Sequence, residues 1–416
     1  MTSQLHAYDP FKIGIVVNEF FCDEYPPLGG FGLTAKNFAE FFNTQSRYDV
    51  EVVALLPPYQ GEGDPPRELH GTRVIAPREK LSWDKYPAFQ RYRDELEKEK
   101  FDLLISIEHY PNYFARLAAL PRTPWLHWIR DPKSERYWNR ILDLRDSEFP
   151  CEYSEKSVYQ YRLYRELQVM RRLTGRKFHC GIQEMWLVDR SRSGYPLIGN
   201  EFSRLVNRIK VPQGVVEKSA SPAVLFIGRL VAVKRPWIYF ELARRFPEVE
   251  FLVVGEMDRN QHQADTIKDA EQIPNLRFLG KKTGRDLDSI LEKAWVLVNT
   301  SIHEGMPQSI LQGLAYEIPV VSALDFGGSI DRYGLFVGEG KGDGLEEVDS
   351  FARALDELLQ NEERRRELGK AGRRWVQENY TDGAFLEQFL TIMDKMELTI
   401  REREGKRGLK LSEGLL

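Results

Sequence analysis

Short apolar runs rich in β-branched residues alternate with stretches of helical spacing along most of this chain. In the first half the runs are KIGIVV (12–17), VEVVALL (50–56), FDLLIS (101–106), PWLHW (124–128) and FHCGI (178–182). Runs of this length separated by helical stretches predict strands of a parallel sheet with both faces covered. After VPQG (211–214) and the small residues EKSASP a second series begins: AVLFIG (223–228), EFLVVG (250–255), LRFLG (276–280), WVLVN (295–299) and IPVVS (318–322). The pattern predicts an α/β chain of two Rossmann-like units, the first over 1–213 and the second over 214–380. Helical spacing over 350–396 (Phe351, Leu355, Leu358, Leu359) breaks at NYTDG. Residues 381–416 are expected to be a helical tail that packs back towards the first unit, with the charged, glycine-broken end REREGKRGLKLSEGLL loosely ordered. Residues 132–177 interrupt the first unit as a helical insertion whose second part is basic and aromatic. A solvated helix with one apolar stripe and an acceptor or membrane-surface patch are both compatible with that pattern.

Composition narrows the function classes. The 416 residues predict two to three domains at roughly 100–200 residues each. With 59 Lys and Arg against 63 Asp and Glu the net charge is -4, too balanced for a protein whose main task is to neutralise a nucleic-acid backbone. The longest apolar runs stop far short of the roughly 18 residues of a membrane span. Cys22, Cys151 and Cys180 fit no zinc or disulfide spacing. The start MTSQLHAYDP lacks the basic and apolar regions of a signal peptide. The expected location is therefore cytoplasmic, with peripheral membrane contact left open.

In an open parallel sheet ligands sit at the carboxyl ends of strands, so the loops after the strands carry the candidate chemistry. After KIGIVV, the loop NEFFCDEYPPLGGFG places Gly29, Gly30 and Gly32 just before a helical run, where backbone amides and the helix dipole favour an anion. Tight turns need glycine too, so this cluster alone is a weak signal. In LFIGRLVAVKRPW a strand ends at Gly228, Arg229 follows, and Lys234 and Arg235 precede Pro236. Cations at a helix N-terminus oppose its dipole by about 0.3–1 kcal/mol, a conflict that a bound diphosphate would remove. A third loop follows WVLVN: TSIHEGMPQS, with Glu304 before Gly305, Met306 and Pro307.

Taken in order, these motifs resemble the retaining nucleotide-sugar glycosyltransferases of GT-B fold, glycosyltransferase family 4, over about residues 12–390. The resemblance implies a transferase that moves a sugar, such as a hexose, from a nucleoside-diphosphate sugar to a hydroxyl of a glycan, lipid-linked or small-molecule acceptor. It implies diphosphate contacts from Arg229 and Lys234 in GRLVAVKRP, from the glycine loop at 29–32, and from the amides near Gln308 and Ser309. Glu304 stands where the family's first glutamate meets the donor sugar. The second glutamate, a ribose contact, falls on Gln312, which keeps one acceptor and one donor but not the charge. Gly327 and Gly328 match the glycine turn after the last strand. On the acceptor side the family's histidine slot holds Arg130, with Asp131 beside it; this pair is equally readable as an ion pair capping the next helix. His109, in ISIEHYPNYF, is the other polar group of that wall, while His127 alternates inside a strand and reads as a core or edge position. No Asp-x-Asp pair sits at a strand end, so no metal and no cofactor are expected. The rival readings are a non-catalytic sugar-nucleotide-binding subunit, a nucleotide-sugar hydrolase or epimerase, and, less well supported, a nicotinamide oxidoreductase.

Overall fold

Apolar strands between amphipathic helices bury most surface when the strands pair in parallel and the helices cover both faces, and the chain follows this rule twice. The computed structural model describes residues 9–403 apart from 21, 23–24, 26–28, 46, 80, 82–85, 111–112, 134, 145–151, 196, 198–199 and 257–267. The readings of the first eight residues, of Cys151 and of the end of the chain from 404 onwards lie outside the described residues, as does the middle of the insertion.

The first sheet contains β1 (Phe11–Val16), β2 (Val50–Leu55), β3 (Glu68–Leu69), β4 (Thr72–Ile75), β5 (Leu103–Ile107), β6 (Trp125–Ile129), β7 (Phe178–Ile182) and β8 (Phe202–Arg204), in the order β3-β4-β2-β1-β5-β6-β7-β8. Only the β3–β4 pair is antiparallel among these. The second sheet contains β9 (Ala223–Ile227), β10 (Glu250–Val254), β11 (Leu276–Gly280), β12 (Val296–Asn299), β13 (Val320–Ser322) and β14 (Gly334–Phe336), in the order β11-β10-β9-β12-β13-β14, all parallel. The ten predicted strands are present with ends shifted by a residue or two. Unpredicted are β3, β4, β8 and β14, each of two to four residues.

The first helix, Gly30–Glu40, buries Ala35, Phe38 and Ala39 at helical spacing. Phe38 meets Phe385 and Phe389 of the last helix, Asp382–Lys395, with ring centroids 5.8 and 5.5 Å apart. Burying such a ring stabilises by about 1.5–3 kcal/mol, which anchors the chain's end on its beginning. Tyr48 and Glu402 form an isolated antiparallel bridge, and Arg208 Nε donates to Asp382 Oδ1 at 2.7 Å. The helical run before this tail divides at Asn361, whose side chain caps Glu362–Asn379 by accepting from the Arg364 amide at 2.9 Å. In the insertion, the helix Glu152–Thr174 buries Leu163, Tyr164 and Leu167 and exposes Val169 and Leu173. Among the described residues no helix is long and apolar enough to cross a membrane.

Candidate active site

The second sheet reverses its strand order between β9 and β12, which are parallel neighbours in register Val224 to Val296. Chain leaving these two strands turns to opposite sides and opens a crevice between the two loops. Gly228 and Arg229 follow β9, and a short turn, Ala232–Lys234, leads to the helix Pro236–Arg245. The two basic residues at its start part company. Arg235, in a left-handed conformation at φ 45°, is fully buried, donates to the Thr300 carbonyl at 2.8 Å and pairs with Glu347 at 2.9 Å. Lys234 instead reaches into the crevice, where its ammonium donates to Oε1 of Glu304 from the loop after β12. Ser301 Oγ donates to the same oxygen at 2.9 Å. A Cβ at Gly228 would lie 3.6 Å from Lys234 Cε, an ordinary contact, so the lysine stem passes close over this turn. Arg229 is exposed beside this pair.

The first unit presents its own strand ends to the same crevice. After β1, the carboxylate of Glu19 accepts the Gly29 amide at 2.8 Å and the Gly32 amide at 3.1 Å. This corrects the expectation that the amides of Gly29 and Gly32 stand open to a donor phosphate: an internal carboxylate already holds them. Burial pushes the Glu19 carboxyl above its ordinary value, against the pull of the glycine amides and of Arg229, which faces it from the second unit. Gly30 begins the helix and is exposed.

The loop carrying Glu304 is docked onto the first unit along its length. His303 Nε2 lies 2.7 Å from Asp131 Oδ1, Arg190 Nη1 donates to the Glu304 carbonyl at 2.7 Å, and Gln183 Nε2 donates to the Met306 carbonyl at 2.7 Å. Gln308 Nε2 donates to Thr34 Oγ1 at 3.3 Å. Gly305 abuts the carbonyl of Arg130 so closely that any Cβ would collide with it. Among the described residues Arg130 and Asp131 share no hydrogen bond or ion pair. Both their amides donate, at 2.8 Å, to Glu108 Oε2, and Asp131 Oδ2 takes Lys133 Nζ at 2.5 Å. Glu108 also accepts from the Tyr195 hydroxyl, and burial raises its carboxyl above the ordinary range.

The remaining predicted residues are placed as follows. Ser309 and Gln312 lie half-buried on the helix Gln308–Ala315 that follows the docked loop. Gly327, at φ 71°, packs against the Trp186 ring of the first unit, where any side chain would collide; Gly328, at φ 86°, starts the short helix Ser329–Tyr333. Gly327 therefore lines a cavity of about 270 Å³ with Trp186, Met306, Tyr333, Trp375 and Tyr380, on the side of the docked loop towards the chain's last helices. His109 leaves the acceptor wall: it is fully buried, its ring 4.9 Å from that of Tyr164, and burial lowers its pKa to about 3. Of the two roles expected for His127, core and edge, the structure shows the core, its Nδ1 2.9 Å from the Tyr164 hydroxyl. Glu19, Glu108, Arg190 and His303 escaped the sequence reading. His303 and Glu108 adjoin predicted residues and were the most accessible of the four, since each lies in a loop directly after a strand. Among the described residues no group of three or more His, Cys, Asp or Glu side chains is arranged to hold a metal ion.

Residues 207–375 match the family model for glycosyl transferases group 1. No curated protein matches the chain by sequence. Solved GT-B glycosyltransferase structures superpose over nearly its whole length. Sucrose-phosphate synthase from Thermosynechococcus elongatus is 14% identical with a TM-score of 0.70, covering 93% of this chain and 99% of that one. HepE of Anabaena, in complex with UDP and glucose, is 12% identical at a TM-score of 0.64, covering 92% and 99%. A mutant TarM of S. aureus, in complex with Fondaparinux, alpha-GlcNAc-glycerol and UDP, is 13% identical at 0.63, again covering 92% and 99%. The fold is therefore GT-B: two Rossmann-like domains whose parallel sheets face a central cleft.

Proposed function

We propose that this chain is a retaining, metal-independent glycosyltransferase that moves a sugar from a nucleoside-diphosphate sugar to a hydroxyl of a glycan, lipid-linked or small-molecule acceptor. The observation that carries the reading is the convergence of Lys234, Arg229 and Glu304 at the strand-order reversal of the second sheet, opposite the glycine loop of the first. Two cations of different kind at one strand end suit a diphosphate: arginine as a fork, lysine as a mobile point charge. The family match over 207–375 contains all three residues.

In the proposed reaction the acceptor oxygen forms a bond to the anomeric carbon on the face from which the diphosphate leaves. The bond from that carbon to the diphosphate oxygen breaks, and the departing oxygen takes the acceptor's proton. Negative charge builds on the diphosphate as the bond lengthens, so preorganised cations there stabilise the transition state more than the ground state. Lys234 and Arg229 supply that charge without a divalent ion. Glu304, released from Lys234 by the incoming phosphate, is free to accept hydrogen bonds from the donor sugar's hydroxyls. The docked loop excludes water, which favours transfer over hydrolysis.

A thermal-shift panel of UDP-, GDP- and ADP-sugars in chelator tests the reading. A ligand at 100 times its dissociation constant stabilises by about 2.7 kcal/mol. One nucleotide class is expected to raise Tm, and transfer is expected to persist in EDTA. No shift with any class, or activity restored only by magnesium or manganese, would overturn it.

A further inference from the structure

Arg130 is only 4% exposed, yet its Nε and Nη1 have no hydrogen-bond partner among the described residues. Three carboxylates lie near enough to act on it electrostatically, Glu108, Asp131 and Glu19. Their hydrogen bonds go elsewhere: Glu108 accepts from the amides of residues 130 and 131 and from Tyr195, Asp131 Oδ2 from Lys133, Glu19 from Gly29 and Gly32, while Asp131 Oδ1 lies 2.7 Å from His303 Nε2. The guanidinium Cζ lies 5.6 Å from the ring centroid of Trp128 and 5.8 Å from that of Phe31. Phe31 belongs to the glycine loop, and the Arg130 carbonyl touches Gly305, next to Glu304. The unused donors, shielded from solvent, therefore lie just behind the first-unit wall of the crevice, between glycine loop and donor-site turn.

A buried charge with open donors is a costly arrangement that a ligand can relieve. Nε opens one edge of the guanidinium and Nη1 the other. Burial lowers the pKa to about 9, which still leaves the group charged at neutral pH. A neutral hydroxyl would satisfy one donor; an oxyanion accepts a charge-assisted bond about twice as strong.

We infer that Arg130 receives an anionic group, a carboxylate or phosphate, carried by the transferred sugar or by the acceptor. The inference rests on the donor-site reading above and narrows its substrate class. Anionic sugars bind with their charged substituent at this arginine, and neutral counterparts leave it unpaired.

Calorimetric titration with matched probes separates the two sources. One arm compares UDP-glucose with UDP-glucuronate and GDP-mannose with GDP-mannuronate. The other, with UDP or GDP saturating, compares glucose with glucose 6-phosphate. A preference of about tenfold or more for the anionic member is expected in one arm, the scale of one charged hydrogen bond. Preference for the hexuronate assigns the anion to the transferred sugar, preference for the sugar phosphate to the acceptor. Arg130→Gln should abolish the preference and Arg130→Lys, which keeps the charge, should retain part of it, with affinity for the free nucleoside diphosphate unchanged in the lysine variant. Equal binding of neutral and anionic probes in both arms overturns the inference while leaving the donor reading intact, as does a preference that survives in Arg130→Gln. Failure of the native chain to bind any nucleoside diphosphate overturns both.

Discussion

Glu19 Oε2 accepts the Gly29 amide at 2.8 Å, and a Cβ at position 29 would stand 2.5 Å from Oε1 of the same carboxylate. A side chain at position 29 would thus push the internal carboxylate aside, and that carboxylate sits at the positive end of the helix Gly30–Glu40. A diphosphate seated on these amides has to displace Glu19. Glu19→Ala is expected to tighten nucleoside diphosphate binding by about 1–2 kcal/mol, since both amides and Arg229 are freed for the ligand. The same change should lower folding stability by about 1–3 kcal/mol, because two buried donors lose their acceptor. Calorimetry and denaturant unfolding read the two effects. Unchanged or weaker binding would mean that the phosphate does not use this loop.

On the opposite wall, Lys234→Ala and Arg229→Ala should each weaken nucleoside diphosphate binding by about 1.5–3 kcal/mol, the scale of a hydrogen bond to a charged group. The lysine change also leaves Glu304 with Ser301 as its one remaining side-chain donor among the described residues. Calorimetry on both variants checks this, and native-like affinity in both would remove the donor site from this crevice.

Gly305→Ala addresses closure. The new methyl would collide with the Arg130 carbonyl, so the docked loop has to withdraw from the first unit. Overpacking of this kind costs about 1–3 kcal/mol, and a displacement near 1 Å at a reacting centre lowers rates by about a hundredfold. Transfer should fall by that order, the radius of gyration from solution scattering should rise, and nucleoside diphosphate binding should stay within a few-fold of native. A fully active variant would show that closure at Gly305 is not part of the cycle.

The sheets were legible in the sequence because long buried runs such as VEVVALL and AVLFIG are read from local pattern alone. Strands such as β3 and β14 were not, since two or three residues carry no period. Within the candidate site, Lys234 and Glu304 were visible because each lies in the loop that follows a strand. What the pattern could not give is partnership across the chain. Nothing local distinguishes Glu19, ten residues ahead of Gly29, from a solvated loop acid, and nothing in ISIEHYPNYF says that His109 turns into an aromatic core while Glu108 beside it fixes two backbone amides.

The His303 and Asp131 contact makes closure sensitive to pH. Burial holds the His303 imidazole below its ordinary 6.5 despite the attraction of Asp131. Burial alone would raise the Asp131 carboxyl, but His303 and Lys133 outweigh it and hold it well below 3.8. Both groups thus bind fewer protons folded than unfolded. Their stability contribution is complete above about pH 6.5, declines as pH falls through that value on account of the histidine, and declines again below about pH 4 as the carboxylate protonates. Burial lowers His109, His127 and His179 in the same direction, so the native curve alone does not isolate the contact. Denaturant midpoints between pH 5 and 8 should fall less steeply on acidification in His303→Gln than in the native chain. Parallel curves would show that His303 does not contribute.

Gln312 lies one helical turn beyond Gln308, on the face that Gln308 turns towards Thr34 and the glycine loop. It is half-buried and so has room to meet a ribose at the crevice edge. If it does, Gln312→Ala should weaken donor binding and leave the fold nearly unchanged. Gln312→Glu replaces a neutral acceptor by a charge-assisted one, about twice as strong, but also brings a carboxylate towards the diphosphate. Near a protein surface two unit charges 4 Å apart repel by about 4 kcal/mol at an effective dielectric of 20, and the repulsion weakens with distance and with the cations between them. Arg229 and Lys234, the expected phosphate partners, would screen that repulsion, so the ribose bond should prevail. Donor dissociation constants are expected to run from weakest in Gln312→Ala, through native, to equal or tighter in Gln312→Glu. Native-like binding by Gln312→Ala would exclude this side chain as a ribose contact and move recognition of the nucleoside to the loops after β10 and β11.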